Sequence, residues 1–158
     1  MSVTISRIDE RFARHEEMLA LIMGSFAYMD DLIDPPSSAH RLTVATLKDK
    51  IRDEIGLIAE IDGWLAGCAF LRPEPEFLYV GKLAVAAEAQ GTGIGRRFLA
   101  ESEVIARQLG KPGLRLETRI ELTGNHRRFA AWGFVRTAER SHAGYDRPTF
   151  IEMQKSLA

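Results

Sequence analysis

The stretch Gln90-Gly91-Thr92-Gly93-Ile94-Gly95-Arg96 stands between an apolar run, Lys82-Leu83-Ala84-Val85, and an amphipathic one that begins Arg97-Phe98-Leu99. Three glycines in five residues allow a tight turn and a close approach of backbone to ligand. The helix expected after them aims its unpaired N–H groups and the positive end of its dipole at the same place. The turn therefore reads as an anion site suited to a phosphate, with Arg96 or Arg97 as added charge. A Walker loop would need Gly, four residues, then Gly-Lys-Ser/Thr, and no such run is present. A dinucleotide fingerprint fits in part, since Gly91 and Gly93 match its first two glycines and Glu117 lies at the distance of a ribose-binding acid. Arg96 takes the third glycine's place, however, and would obstruct close packing of helix on strand.

Gln90, Gly93 and Gly95 fill the pattern Gln/Arg-x-x-Gly-x-Gly/Ala. Preceded by Leu83-Ala84-Val85, this resembles the acyl-CoA pyrophosphate loop of the GNAT superfamily of N-acyltransferases. Leu114-Arg115-Leu116-Glu117 resembles that family's fifth strand. Asn125 to Phe134, ending Trp132-Gly133-Phe134, resembles its last helix and the Gly-Phe that follows. In family order these motifs span roughly residues 57 to 155. The resemblance implies an α/β (α+β) fold, in which a mixed, mainly antiparallel sheet of six or seven strands is splayed at the cofactor site and flanked by about four helices. It implies acetyl-CoA as the cofactor, held by the main chain of Leu83, Ala84 and Val85 and by Gln90, Gly91, Thr92, Gly93, Ile94, Gly95 and Arg96.

The chemistry implied is direct attack of an acceptor amine on the thioester carbonyl, with a general base removing the amine's proton. In ribosomal-protein N-terminal acetyltransferases a Glu in a matching Leu-Glu strand is that base, twelve residues before a Tyr that protonates the thiolate. Glu117 fits the first role, but the twelfth residue onward is Phe129, which has no proton to give. Leu122 likewise stands where the Asn seven residues before that Tyr is usual. Phe129 is then expected beside the cofactor's sulfur arm or in the core, and Asn125 at the helix cap within reach of the cofactor. Tyr145, in the loop Ala143-Gly144-Tyr145-Asp146-Arg147-Pro148, is the candidate acid, with Asp146 to orient an amine. His142 and Glu76 are further candidate bases. The departing thiol, with a pKa near 8.5, tolerates leaving unassisted.

Composition agrees with one enzyme domain over residues 1–158. A chain of this length buries about 70% of its unfolded surface, enough for a sizeable core. Its net charge of −1 gives no reason to expect nucleic acid, which asks for a concentrated basic surface. The lone Cys68 cannot form an internal disulfide and falls in an apolar run, as an inert packing residue would. No apolar run approaches the roughly 20 residues that cross a bilayer, and the N-terminus lacks a signal-peptide pattern, so a cytoplasmic location is expected. The four histidines, His15, His40, His126 and His142, show no ligand pair at metal spacing, and the reaction needs no metal.

Along the chain, Val3 and Ile5 suggest a short strand, and Asp9 is placed to cap a helix over 10–29 whose buried stripe is Phe12, Leu19, Ile22, Met23 and Phe26. Pro35 and Pro36 impose an extended loop before a helix of about Thr43 to Asp53. Leu57–Ile61 and Trp64–Leu71 around Asp62-Gly63 read as a hairpin. A strand over Phe77–Val85 leads into the glycine loop. Its helix runs from about Gly95 to Leu109, with Phe98, Leu99, Val104, Ile105 and Leu109 inward and Gly110 ending it. Leu114–Thr118, a helix from Leu122 or Asn125 to Trp132, and strands near 134–142 and 149–154 complete the reading.

The loop after the first helix carries Asp30, Asp31 and Asp34, which either cap and solvate a turn or draw a cationic acceptor. The resemblance puts this loop at the acceptor mouth and favours a small, cationic amine as the partner; family members are often dimers. A peptide N-terminal or lysyl acetyltransferase, and a non-catalytic acyl-CoA-binding domain motivated by Phe129, are the alternatives, with a nicotinamide-binding dehydrogenase behind them.

Overall fold

The computed structural model describes residues 2–158. Seven strands form a single sheet in the order β1-β2-β3-β4-β5-β7-β6. They are β1 (Val3–Arg7), β2 (Ile55–Ile61), β3 (Trp64–Pro73), β4 (Phe77–Val85), β5 (Gly113–Arg119), β6 (Val135–Arg140) and β7 (Phe150–Ser156). Among the described residues four α-helices accompany them: α1 (His15–Phe26), α2 (Val44–Asp53), α3 (Ile94–Gln108) and α4 (Thr123–Ala131). Every pairing is antiparallel except β4 with β5, which is parallel.

The β2–β3 hairpin turns at Asp62-Gly63, where φ is +49° and +86°, the left-handed pair that a two-residue turn of this twist requires. One face of the sheet, through Leu57, Ile61, Leu71, Leu78, Val80, Leu114 and Leu116, packs on Phe98, Leu99 and Ile105 of α3. The other, through Ile58, Leu65, Cys68, Phe70 and Ala84, packs on Met18 and Ile22 of α1 and Leu47 of α2. Burial pushes the Cys68 thiol up to about 12, so it is an inert core residue at neutral pH.

Three expectations need correction. Helix α1 starts at His15 rather than residue 10, because Asp9 accepts the Arg11 N–H at 2.9 Å and so closes a local turn instead of capping a helix; the N-cap is Arg14, with no side-chain cap. Thr43 does cap α2, in a reciprocal box with Thr46. On α3, Val104 and Leu109 are each 46% exposed, and the buried stripe is completed by Ser102, whose hydroxyl donates to the Phe98 carbonyl, and by Ala106. On α4 the N-cap is Leu122, which places Asn125 inside the first turn and not at the cap.

The feature that positions the site lies in β4. On β3, Phe70 pairs with Gly81 and Cys68 with Ala84, so three steps on β4 oppose two on β3. The extra residue forms a bulge in which Lys82 adopts a left-handed φ of +48°, unusual for a side chain with a Cβ. The bulge reverses the facing of the strand: Leu78 and Val80 belong to the α3 side, whereas Ala84 belongs to the α1/α2 side.

Candidate active site

Strands β4 and β5 pair only through Phe77–Gly113, Leu78–Leu114 and Tyr79–Arg115. Beyond Tyr79, β4 keeps β3 on one side, and beyond Arg115, β5 keeps β7 on the other. The sheet is therefore open between them. Main-chain groups of β4 past the bulge, in Leu83, Ala84 and Val85, border this breach. At its end the Val85 carbonyl accepts from the Ser25 hydroxyl at 2.6 Å, which ties α1 to the strand.

The glycine loop follows immediately. Gly91 and Gly93 have φ of +81° and +84°, and a Cβ built on either meets nothing within 4 Å. The turn needs glycine for its backbone, and the space above it is open. Gly93 is the N-cap of α3 and offers no side-chain cap, so the first-turn N–H groups of Ile94, Gly95 and Arg96 have no intrahelical acceptor. Ile94 is buried and anchors the turn, the Thr92 hydroxyl donates to the Ala89 carbonyl, and the Gln90 amide lies 3.4 Å from the Val85 carbonyl. Arg96 is exposed, whereas Arg97 turns away to donate to the Val3 carbonyl at 3.0 Å. This cradle of free N–H groups at a helix N-terminus, opening beside an unpaired strand, fits a pyrophosphate with an extended arm.

On β5, Arg115, Glu117 and Arg119 share the face opposite the α3 core. The Arg115 guanidinium forks onto Glu74 through two contacts of 2.8 Å and donates to Glu117 Oε2 at 2.8 Å and Glu152 Oε2 at 3.3 Å. Glu117 and Glu152 are direct cross-strand partners, so two like charges would face each other without that guanidinium between them. Hydrogen bonding to Glu74, ahead of that to Glu117, holds Arg115 charged well above its ordinary range, and Glu74 is lowered in turn. Glu117 is thus fixed through Oε2, and Oε1 has no partner among the described residues. Tyr79, stacked between Arg72 and Arg115 at 4.6 Å each, is pushed up to about 12 by burial first and then by Glu117.

The loop residues join in a way the sequence does not reveal. Tyr145 donates its hydroxyl to Asp34 Oδ1 at 2.7 Å, and Arg147 reaches Asp34 Oδ2 at 3.2 Å. This hydrogen bond raises Tyr145 above an ordinary phenol, so the candidate acid holds its one proton more tightly, in a hydrogen bond donated to a loop carboxylate. Asp30 pairs with His40 at 2.7 Å, and Asp31 is exposed. Two of the three aspartates expected to draw a cationic acceptor are therefore taken by the protein's own donors. Asp146 and Glu76 are exposed. His142 hydrogen-bonds the Thr149 hydroxyl and is lowered below its ordinary range by burial first and then by Arg119.

Phe129 packs edge-to-face on Trp132 and Phe134, each at 5.9 Å, against the main core. Asn125 accepts from Arg128 at 3.2 Å and lies 3.5 Å from the Thr118 hydroxyl. Residues missed from sequence are Lys82, Arg115, Arg119 and Glu121. Arg119 donates to the Pro35 and Pro36 carbonyls at 2.6 and 3.0 Å, and Glu121 Oε1 is buried without a hydrogen-bond partner. The i, i+2 spacing of Glu117 and Arg119 was the one signal available for the arginine. An apolar hollow of about 400 Å³ between α4 and β6/β7, lined by Phe134, Val135, Ile151 and Met153, holds none of these groups.

An open sheet breached between two parallel neighbours, with a glycine-rich helix N-terminus at the breach and a carboxylate beside it, defines an acyl-CoA-type transferase fold. The GNAT acetyltransferase family model matches residues 25–134, and the chain belongs to that family. No curated protein sequence matches it significantly. Among solved structures, the PaiA N-acetyltransferase from Thermoplasma acidophilum in complex with coenzyme A is 19% identical, with a TM-score of 0.79 over 99% of this chain and 100% of that one. A GNAT family acetyltransferase from Elizabethkingia anophelis with acetyl-CoA bound is 19% identical, with a TM-score of 0.70 over 98% of each chain. The ribosomal-protein-S18-alanine N-acetyltransferase from Escherichia coli is 17% identical, with a TM-score of 0.69 over 99% of this chain and 95% of that one. At these identities the likeness is one of fold. Among the described residues no helix is long and apolar enough to cross a membrane.

Proposed function

We propose that the protein is an N-acetyltransferase that holds acetyl-CoA in the breach between β4 and β5 and serves a small amine acceptor arriving from the α1/α2 side. The observation that carries this reading is the coincidence of the breach with the cradle formed by the left-handed Gly91 and Gly93 and the free N–H groups of Ile94, Gly95 and Arg96. Leu83, Ala84 and Val85 would hold the pantetheine arm through main-chain groups, and Gln90 to Arg96 the pyrophosphate. Phe129 and Asn125 would flank the sulfur arm. When bound, acetyl-CoA supplies the acyl group, the amine nitrogen gaining the bond to the acyl carbon as the carbon–sulfur bond breaks and the thiolate leaves to take up a proton.

Glu117 accepts the amine's proton at Oε1 while Arg115 holds Oε2 in place. The backbone N–H groups near Leu83 to Val85 polarise the acyl oxygen. No side chain has to protonate the departing sulfur, because a thiol with a pKa of about 8.5 leaves as thiolate. Phe129, which lacks a proton, and Tyr145, whose proton is held in the hydrogen bond to Asp34, accord with that.

A small acceptor is favoured over a peptide because the mouth is bridged. The α1–α2 loop is fastened to the β6–β7 loop by Tyr145 and Arg147 on Asp34, and to β5 by Arg119 on Pro35 and Pro36. The test is thiol release from acetyl-CoA with a panel of small primary amines. Release is expected only when both are present; a panel that includes N-terminal peptides and lysyl peptides and finds these the better acceptors would replace the small-amine reading.

A further inference from the structure

Three cations from three separate segments meet at the turn over residues 35–41, which Lys82 reaches at Ser38 and Arg119 at the Pro35 and Pro36 carbonyls, with Glu117 two residues before Arg119 on the same strand face. Arg41 closes the turn that leads into α2, Lys82 projects from the β4 bulge, and Arg119 ends β5. Burial and then Lys50, Arg41 and Arg119 push Lys82 down to about 8, and burial lowers Arg119, with Glu121, Tyr145 and Asp34 acting against it ahead of Arg41. None of the three is within salt-bridge distance of a carboxylate among the described residues. Lys82 donates to the Ser38 hydroxyl and lies 6.0 Å from the centre of the Phe26 ring, and Arg119 spends two of its five donors on proline carbonyls.

Two of the carboxylates nearby are paired within the protein, Glu54 with Lys50 at 2.8 Å and Asp34 with Tyr145 and Arg147, while Glu121 reaches Arg147 at 3.8 Å through Oε2 and keeps a buried, unpartnered Oε1 near Arg119. Lys82 and Arg41 thus repel each other with no ion-pair partner among the described residues, a cost that a negative group joining them would relieve. The cluster is separate from the pyrophosphate cradle, because Ser38 and Phe26 lie on the α1/α2 side whereas the glycine loop caps α3 on the other.

We propose that the acceptor is an amine that also carries an anionic group, a carboxylate or a phosphate, which Lys82, Arg119 and Arg41 hold while its amine faces Glu117. The inference rests on the acyltransferase reading and names its substrate class. Glu117 and Arg119 are two residues apart on one strand face, about 7 Å, so the amine and the anion belong to one short molecule of amino-acid size. Arg41 is exposed and its side chain has no hydrogen-bonded partner among the described residues, so its replacement is expected to leave the fold intact.

The test uses matched acceptors with acetyl-CoA and the full chain: α- and β-amino acids against their amides and decarboxylated amines, and phosphoethanolamine against ethanolamine. The anionic member of a pair is expected to have a kcat/KM higher by about tenfold or more, as one to two charged hydrogen bonds supply. Arg41→Gln is expected to narrow that preference by about fivefold, through KM more than kcat, and Lys82→Met, which keeps the unbranched stem in the bulge, to do the same. Preference among the anionic members assigns carboxylate or phosphate. Neutral or cationic members turned over equally well would overturn the inference and leave the acyltransferase reading standing. Turnover of no pair would overturn it as well, and an accompanying lack of any acetyl-CoA effect on unfolding would show that the acyltransferase reading fails with it.

Discussion

Glu117→Gln is expected to lower amine acetylation by about 10²- to 10⁴-fold, the range in which a positioned general base acts. Glutamine keeps the shape of the side chain and its carbonyl oxygen can still accept from Arg115 at the place where Oε2 now does. What disappears is the ability of the other atom to take a proton. The loss should therefore sit in kcat, with acetyl-CoA stabilising the variant as it does the wild type. Raising the pH, which deprotonates more of the free amine, should recover part of the activity. A variant within about threefold of wild type would remove Glu117 from the mechanism and direct attention to His142, whose lowered basicity leaves it neutral near pH 7.

The largest expected effect on stability is that of Phe98→Ala, about 3–5 kcal/mol. Phe98 is completely buried on α3. Its ring sits so close to β3 that a Cβ on Gly67 would meet Cε2 at 3.0 Å, so the neighbouring backbone is already at contact and has little room to collapse into the cavity. At about 2–4 °C per kcal/mol for a chain of this size, the unfolding midpoint should fall by roughly 10 °C, and urea denaturation would check the energy directly. Phe98 also lies one turn after Ile94, where the glycine loop is anchored, so binding at the loop should weaken together with stability. A change below about 1 kcal/mol would mean that α3 does not pack on the sheet in this way.

Much of this fold was legible in the residues. Strand β4 ends where the reading ended it, at Val85, because glycines follow an apolar run, and Asp62-Gly63 announced its hairpin. The start of α1 was not legible, since an Asp that caps a helix and one that closes its own turn look alike until the next residues are placed. Val104 and Leu109 were misplaced on α3 because apolar spacing gives a face, while how far the sheet extends beneath that face is a tertiary fact.

Of the candidate site, the glycine turn at the start of α3 was readable and the pairing of the loop acids was not. The glycine pattern encodes a backbone shape, which is local. The bulge at Lys82 depends on register with β3, and it alone sends that lysine to the α1/α2 side beside Arg119 and Arg41. Asp34 looked like a group for a cationic ligand until Tyr145 and Arg147, more than a hundred residues away, were found on it. Charge counting along the chain thus suggested a positive acceptor, whereas charge pairing in space leaves the positive residues unmatched and favours a negative group on the acceptor.

The central claim is that the breach and the glycine loop hold an acyl-CoA, and thermal unfolding of the wild type with acetyl-CoA, CoA and NAD tests it most directly. A ligand that binds only the native state at a hundred times its dissociation constant adds about 2.7 kcal/mol. The account predicts a midpoint raised by several degrees by both CoA compounds and unmoved by NAD. An unmoved midpoint at millimolar acetyl-CoA, or a rise with NAD alone, would contradict it.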